Sequence, residues 1–149
     1  MATNVVGRDG SAIIGGVSDP YRGYRRWFHA ATIYNAAWGL SVLVYPRWYL
    51  WLAGMDDAAA PFAQGIAMMV AVYAYGYHLL ARDPERYAPF IWIALAGKAF
   101  GIVGYLACAS AGTLPWRFGL NALMNDLIWF PAFLAFGLRY ARGSNKMPS

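Results

Sequence analysis

Two opposite charges stand inside long apolar stretches of the chain, Lys98 in PFIWIALAGKAFGIVGYLACAS and Asp126 in NALMNDLIWFP. An unpaired charge at the centre of a bilayer costs at least about 2.5 to 3.5 kcal/mol, so two such residues are expected to face each other. A buried ammonium and carboxylate could fix the register of two helices, bind a polar group or take part in proton transfer. The sequence therefore predicts a Lys98–Asp126 pair.

The depths of the two charges support this pairing. At about 1.5 Å per residue, Lys98 lies roughly 13 Å from one membrane boundary, and Asp126 lies roughly 12 Å from the other. Other side chains able to form hydrogen bonds fall at similar depths on each of the four apolar stretches. We predict one polar layer near the middle of the membrane, made of Asn35, Tyr73, Lys98, Asn125, Asp126 and Trp129.

This polar layer has two interpretations. It could be a buried clamp that fixes helix register and does nothing else. It could instead line a site for a ligand or a proton, which is the usual role of ionisable residues inside a membrane. We favour the second interpretation and keep the first open.

His29 and His78 fall about one helical turn from the same predicted boundary, on consecutive helices. Two histidines in this arrangement could ligate a haem or a metal ion. Because histidine also suits a membrane interface and no ligand-spacing motif accompanies the pair, we predict no cofactor and no metal site. The sequence also contains no nucleophile elbow, phosphate loop or zinc-binding spacing.

The composition predicts an all-α polytopic membrane protein. Of the 149 residues, 60% are hydrophobic and only 13% are charged, whereas about 25% are charged in a typical soluble domain. Four apolar stretches approach the roughly 20 residues that a helix needs to cross a bilayer. We therefore predict a four-helix transmembrane bundle over residues 26–140, with helices near 26–45, 62–80, 89–110 and 118–140.

Three further segments flank or interrupt these helices. Residues 1–25 are polar and glycine-rich and are expected to form a flexible cytoplasmic segment. Residues 46–54, PRWYLWLAG, are amphipathic and are expected to lie along the outer membrane surface. Residues 141–149 are expected to form a cytoplasmic tail.

Basic residues are distributed unevenly between the two sides of the predicted bundle. Nine fall on the side of the chain termini, against Arg47 and Arg117 on the other side. By the positive-inside rule both termini are cytoplasmic. The net charge of +5 is then explained by topology, and nothing in it argues for a nucleic-acid partner.

Two local features indicate how the third and fourth helices meet. Gly97, Gly101 and Gly104 give the third helix a smooth face that favours close packing. Pro131 cannot donate a hydrogen bond to the Leu127 carbonyl, so the fourth helix is expected to bend beside the polar layer. The single cysteine, Cys108, excludes an internal disulfide and is expected to pack within the third helix.

The segments IYNAAWGL, GKAFG and NDLIWFPAF together resemble small four-helix bacterial membrane proteins with the pattern YNxxWG, GKxFG and NDLIWxPF, a family with no assigned activity. The architecture is also similar, more distantly, to the DoxX type of four-helix protein, which is associated with quinone-linked redox complexes. These resemblances imply a location in the bacterial inner membrane and a possible role in binding quinone or another lipid, but they supply no functional residues.

Three functional hypotheses follow. The first is a non-catalytic protein that binds a hydrophobic ligand or serves as an accessory subunit of a membrane complex, in contact with lipid and with other subunits or further copies of itself. The second is a membrane enzyme or redox component acting on quinone or another lipid, with Asp126 accepting a proton beside Lys98. The third is an oligomeric carrier of protons or small solutes. We favour the first because catalytic motifs are missing from the sequence.

Overall fold

The computed structural model describes residues 19–141, and in this part of the chain all regular secondary structure is helical. The predicted N-terminal segment, residues 1–25, lies largely outside the described range, and helix α1 already begins at Arg22. The predicted tail, residues 141–149, lies outside it except for Ala141. The five helices are α1 (Arg22–Val44), α2 (Pro46–Ala53), α3 (Ala60–Arg82), α4 (Phe90–Ser110) and α5 (Trp116–Ala141).

Within residues 19–141, three helices are long and apolar enough to cross a membrane: α3 with the 3₁₀ turn before it, α4 and α5. We predicted four such helices. Helix α1 has the length, with 23 residues, but polar side chains such as His29 and Asn35 make it less apolar than the other three, and it does not satisfy the same criterion. The all-α class and the three candidate spans indicate a membrane protein.

Helices α1 and α3 pack against each other over most of their lengths. Gly39 makes this approach possible, because a Cβ atom at that position would lie 2.9 Å from the carbonyl oxygen of Ala67. At the other end of the pair, the guanidinium of Arg25 donates to the carbonyl of Ala81 at 2.9 Å. The two helices therefore act as one layer of the structure.

The short helix α2 connects α1 to α3 at the end of the molecule opposite the described termini, which we call the α2 end. Pro46 begins this helix, where its missing N–H costs nothing. Gly54 ends it with φ of 73°, a conformation that glycine adopts without strain. Tyr49, Leu50 and Ala53 are buried, so α2 lies with one face against the bundle.

The buried apolar residues form two separate clusters. The terminal core, at the end of the described termini, is rich in aromatic side chains, including Phe28, Tyr77, Phe133 and Phe136. The α2 core, at the other end, is built from Val42, Tyr49, Leu50, Ala53, Ala63, Ala67 and Phe118. The buried polar residues Asn35, Lys98 and Asn125 belong to neither cluster.

Helix α5 is irregular along its length. It starts with a 3₁₀ turn at Trp116–Phe118 and has π-helical turns at Leu123–Leu127 and Gly137–Ala141. The first π-helical turn ends four residues before Pro131, whose ring removes one helical hydrogen bond. The helix is thus irregular near Pro131 through a change in hydrogen-bond pattern, and the bend expected from the sequence stays a prediction.

Candidate functional site

The Lys98 ammonium lies 3.6 Å from Oδ1 of Asp126, so the predicted contact between α4 and α5 is present. The Lys98 side chain is 6% exposed and that of Asp126 is 18% exposed. The ammonium also donates to the backbone carbonyl of Asn125. An ammonium has three N–H donors. One of them bonds the Asn125 carbonyl, the carboxylate of Asp126 is held as an ion pair, and the ammonium keeps donor capacity for a further acceptor.

The carbonyl of Asn125 is free to accept from Lys98 because of the π-helical turn. In a regular α-helix it would accept from the N–H of Trp129. In α5 that N–H donates to the carbonyl of Asp126 at 3.2 Å instead, and the N–H of Ile128 donates to the carbonyl of Leu123 at 3.2 Å. The irregular turn therefore gives the lysine a backbone acceptor that a regular helix would have used itself.

Trp129 supports this turn and does not line either of the two cavities described below. Its indole Nε1 donates to the carbonyl of Met124 at 3.0 Å, a second acceptor that the π-helical turn leaves without its α-helical donor. The ring packs in the terminal core, with centroids 5.5 Å from Tyr34 and 6.0 Å from Trp27. We grouped Trp129 with the polar layer, and the structure gives it a supporting position behind that layer.

Glycines on α4 allow the polar groups to come close to that helix. A Cβ atom at Gly101 would lie 3.1 Å from Oδ2 of Asp126, and one at Gly97 would lie 2.7 Å from the hydroxyl of Tyr73. Neither neighbour could stay in place beside a larger residue. On the glycine face predicted for α4, Asp126 of α5 therefore packs against Gly101 and Tyr73 of α3 packs against Gly97.

Aromatic rings cover the ammonium on the side of the terminal core. The nitrogen lies 5.8 Å from the ring centroid of Tyr77 and 5.7 Å from that of Phe133. At these distances the ring faces attract a cation. Lys98 is therefore held by a carboxylate, a carbonyl and two rings, although it lies in a largely apolar environment.

A cavity of about 330 Å³ opens on this group between α3, α4 and α5. Its polar wall contains Asn35, Lys98, Asn121, Asn125 and Asp126, and the rest of its lining is mainly apolar. Tyr73 lines it as well, so five of the six residues of the predicted layer face one space. Toward the α2 end its walls include the exposed side chains of Phe62, Met69 and Phe100.

Asn35 joins the site from α1. It is buried, and its amide nitrogen donates to the carbonyl of Ala31 at 2.7 Å, within the same helix. This bond fixes the orientation of the side chain that lines the first cavity. Asn35 therefore contributes to the cavity wall without bonding directly to Lys98 or Asp126.

A second cavity, of about 210 Å³, lies under α2 and was not predicted. Asn121 and Asn125 line both cavities, and the amide nitrogen of Asn125 donates to Oδ1 of Asn121 at 2.7 Å. The spacing of the two asparagines, four residues apart on one helix, could have suggested this bond. Nothing in the sequence indicated that Trp48 and Tyr49 of α2 would close over the same space.

The two histidines do not join the polar layer. His29 is exposed on α1 beside buried Phe28, and His78 is partly buried on α3. Within residues 19–141, no three histidine, cysteine or acidic side chains are grouped closely enough to hold a metal ion. The prediction that the protein carries no haem remains a prediction.

The chain was compared with protein-family models, curated proteins and solved structures, and no match was found in any of the three comparisons. The functional argument consequently rests on the geometry of the two cavities and of the ion pair that lines the first.

Proposed function

We propose that this chain is a small integral membrane protein that binds a hydrophobic ligand in the first cavity, with the polar end of the ligand at Lys98. The observation that carries the proposal is the form of that cavity: a mainly apolar cleft with a charged, hydrogen-bonding wall. Its volume of about 330 Å³ falls within the range of roughly 300 to 1,000 Å³ found for small-molecule sites.

The chemistry of the wall specifies the polar end of the ligand. Lys98 is neutralised by Asp126, so a strongly charged head group has no net charge to meet. The remaining N–H of the ammonium calls for an acceptor such as a carbonyl or hydroxyl oxygen. An uncharged amphiphile with an apolar body and an oxygen-bearing head group fits these requirements.

The membrane arrangement forms part of the proposal. We propose that α1 is a fourth span because it packs along α3 and so lies at the same depth. The excess of basic residues near the termini supports a cytoplasmic position for both. The resemblance in IYNAAWGL, GKAFG and NDLIWFPAF supports a bacterial inner-membrane protein and, with the many exposed apolar side chains, an accessory subunit in contact with lipid or other subunits.

A second candidate function follows from the fact that Asp126 and Lys98 both line the ligand cavity. A carboxylate next to a bound quinone or other lipid could accept a proton from it, with the ammonium stabilising the charge. The protein would then be an enzyme or redox component. We rank this below binding, because the sequence contains no nucleophile elbow, phosphate loop or zinc-binding spacing.

Native mass spectrometry of the protein released from lipid nanodiscs tests the binding function. Gly104 lines the first cavity, and no atom lies within 4 Å of a Cβ built there. In the variant Gly104→Phe the ring should occupy the cleft and displace the ligand. Gly65→Phe is the matched control, because Gly65 is also a helical glycine with open space around its Cβ and lines neither cavity.

We expect a bound apolar compound with the wild-type protein and with Gly65→Phe, and its loss in Gly104→Phe. Equal retention by all three proteins would place the compound elsewhere on the surface. A wild-type protein that carries nothing from any membrane extract would contradict the proposal.

A further inference from the structure

Three buried side-chain polar atoms in residues 19–141 have no hydrogen-bond partner: Nε1 of Trp48, the hydroxyl of Tyr49 and Oδ1 of Asn125. All three residues line the second cavity. Tyr49 is only 2% exposed and Asn125 only 5% exposed. Buried polar groups in folded proteins almost always have a partner, so three residues that line one space and each carry an unpaired atom indicate an occupant that forms hydrogen bonds.

The three atoms differ in what they need from that occupant. The indole N–H can only donate and the amide oxygen can only accept, whereas the hydroxyl can do both. Burial raises the pKa of Tyr49, so its phenol stays protonated and keeps its donor. The occupant must therefore offer both acceptors and donors within one small space.

Water meets these requirements and a lipid chain does not. A water molecule donates twice and accepts twice, and a cavity of about 210 Å³ is far larger than the roughly 10 to 15 Å³ that one water needs. An acyl chain would leave all three atoms unpaired. Exposed Arg117 also lines the cavity and provides a polar connection to the surface at the α2 end.

The α2 end has a polar connection to the surface, and the end with the described termini has an aromatic core instead. Beyond the polar layer toward the described termini lies the terminal core, where Phe28, Phe133 and Phe136 are completely buried. Asn121 and Asn125 stand between the second cavity and the first, since they line both. A polar route from the α2 end would thus end at the Asn121–Asn125 pair, next to Asp126.

We propose that the second cavity is a hydrated chamber that admits water from the α2 end of the molecule to the Asn121–Asn125 pair and so to the edge of the polar layer. The chamber is a separate site from the ligand cavity, and it holds water whether or not the first cavity binds a ligand. It brings water from one side of the molecule only, as far as the asparagine pair next to Asp126.

Hydroxyl-radical footprinting of the wild-type protein in nanodiscs tests this directly, because radicals formed by ionising radiation modify buried side chains that lie beside bound water. Tyr49 and Phe136 are both buried aromatic residues, but only Tyr49 lines the chamber. We expect modification of Tyr49 to be at least several-fold faster. Equal rates would overturn the proposal and would indicate a dry or lipid-filled cavity.

Single cysteines provide a second test in a Cys108→Ala background. Ala53 and Ala63 are buried in the same α2 core, but only Ala53 lines the chamber. A small charged thiol reagent should react at least several-fold faster with Ala53→Cys than with Ala63→Cys. In sealed vesicles the reagent should reach Ala53→Cys from the same side of the membrane from which it labels Ala111→Cys, at the α2 end. Labelling of Ala53→Cys from the side that labels Glu85→Cys would overturn the proposal. Equal reaction rates at Ala53→Cys and Ala63→Cys would also overturn it.

Discussion

Asp126 lies against the backbone of α4 at Gly101: a Cβ atom added there would stand 3.1 Å from Oδ2 of the carboxylate. Gly104, three residues further along the same helix, has no atom within 4 Å of its Cβ position. The two glycines therefore differ in what they do. The first makes room for the ion pair, and the second faces open space.

This difference gives a stability prediction. Replacing a helical glycine with alanine stabilises by roughly 0.5 to 1 kcal/mol when space is available. We expect Gly104→Ala to show this gain. Gly101→Ala should show little or none of it, because the carboxylate must move away from the new methyl group. Unfolding in mild detergent measures both free energies, and an equal gain at the two positions would mean that Asp126 does not depend on Gly101.

The ion pair gives a second prediction. Lys98→Met removes the cation from two acceptors, the Asp126 carboxylate and the Asn125 carbonyl, whereas Asp126→Leu leaves the ammonium with the carbonyl. Breaking a buried pair costs about 3 to 5 kcal/mol. We expect both variants to be destabilised, with the larger loss in Lys98→Met.

The double variant Lys98→Met with Asp126→Leu completes the cycle. Removing both charges should restore much of the stability that either single change removes. If the pair is only a clamp, ligand binding or partner binding should return together with stability. If it lines a functional site, the double variant should fold and remain inactive. Additivity within about 0.5 kcal/mol would show that the two residues are not coupled.

The orientation of the protein gives a third prediction. Glu85 lies in the loop between α3 and α4, and Ala111 follows α4 at the opposite end; both are exposed. In the Cys108→Ala background, an impermeant thiol reagent applied to intact bacterial cells should label Ala111→Cys. It should label Glu85→Cys only after the membrane is opened, because basic residues near that loop favour the cytoplasm. The reverse pattern would invert the topology.

The two histidines give a fourth prediction. The purified protein should show no Soret absorption, and the variants His29→Ala and His78→Ala should fold as the wild type does, because His29 is exposed and neither residue belongs to the buried cores. Visible absorption and thermal unfolding measure these properties. A Soret band that disappears in either variant would establish a haem and favour the redox function.

The contact between Lys98 and Asp126 could be predicted because isolated charges in apolar stretches have few possible partners, and a helix converts sequence position into depth. The positions of the long helices followed from hydropathy in the same way. Hydropathy is an average over many residues, however. For α1 this average falls below that of a membrane span, although the helix packs closely against α3, which is a candidate span. Its polar residues lower the mean, while it packs along α3 over most of its length.

The second acceptor of Lys98 could not be predicted, because it is a backbone atom. Pro131 indicated a disturbance in α5. The position of the π-helical turn, however, depends on which backbone N–H groups donate to which carbonyls, and the sequence does not show this. The chamber under α2 escaped prediction for a related reason. Tyr49 and Asn125 are 76 positions apart in the sequence, and only the folding of α2 over the bundle brings both to one cavity.

The backbone carbonyl at Asn125 has a consequence for how the charges can change. Because this acceptor is part of the main chain, it keeps its partial negative charge at every pH and in every side-chain variant. When Asp126 takes up a proton, Lys98 loses its counter-ion but not its anchor. Protonation of Asp126 would therefore leave one of the two contacts between Lys98 and α5 in place, and α4 and α5 would stay connected through the main chain at Asn125.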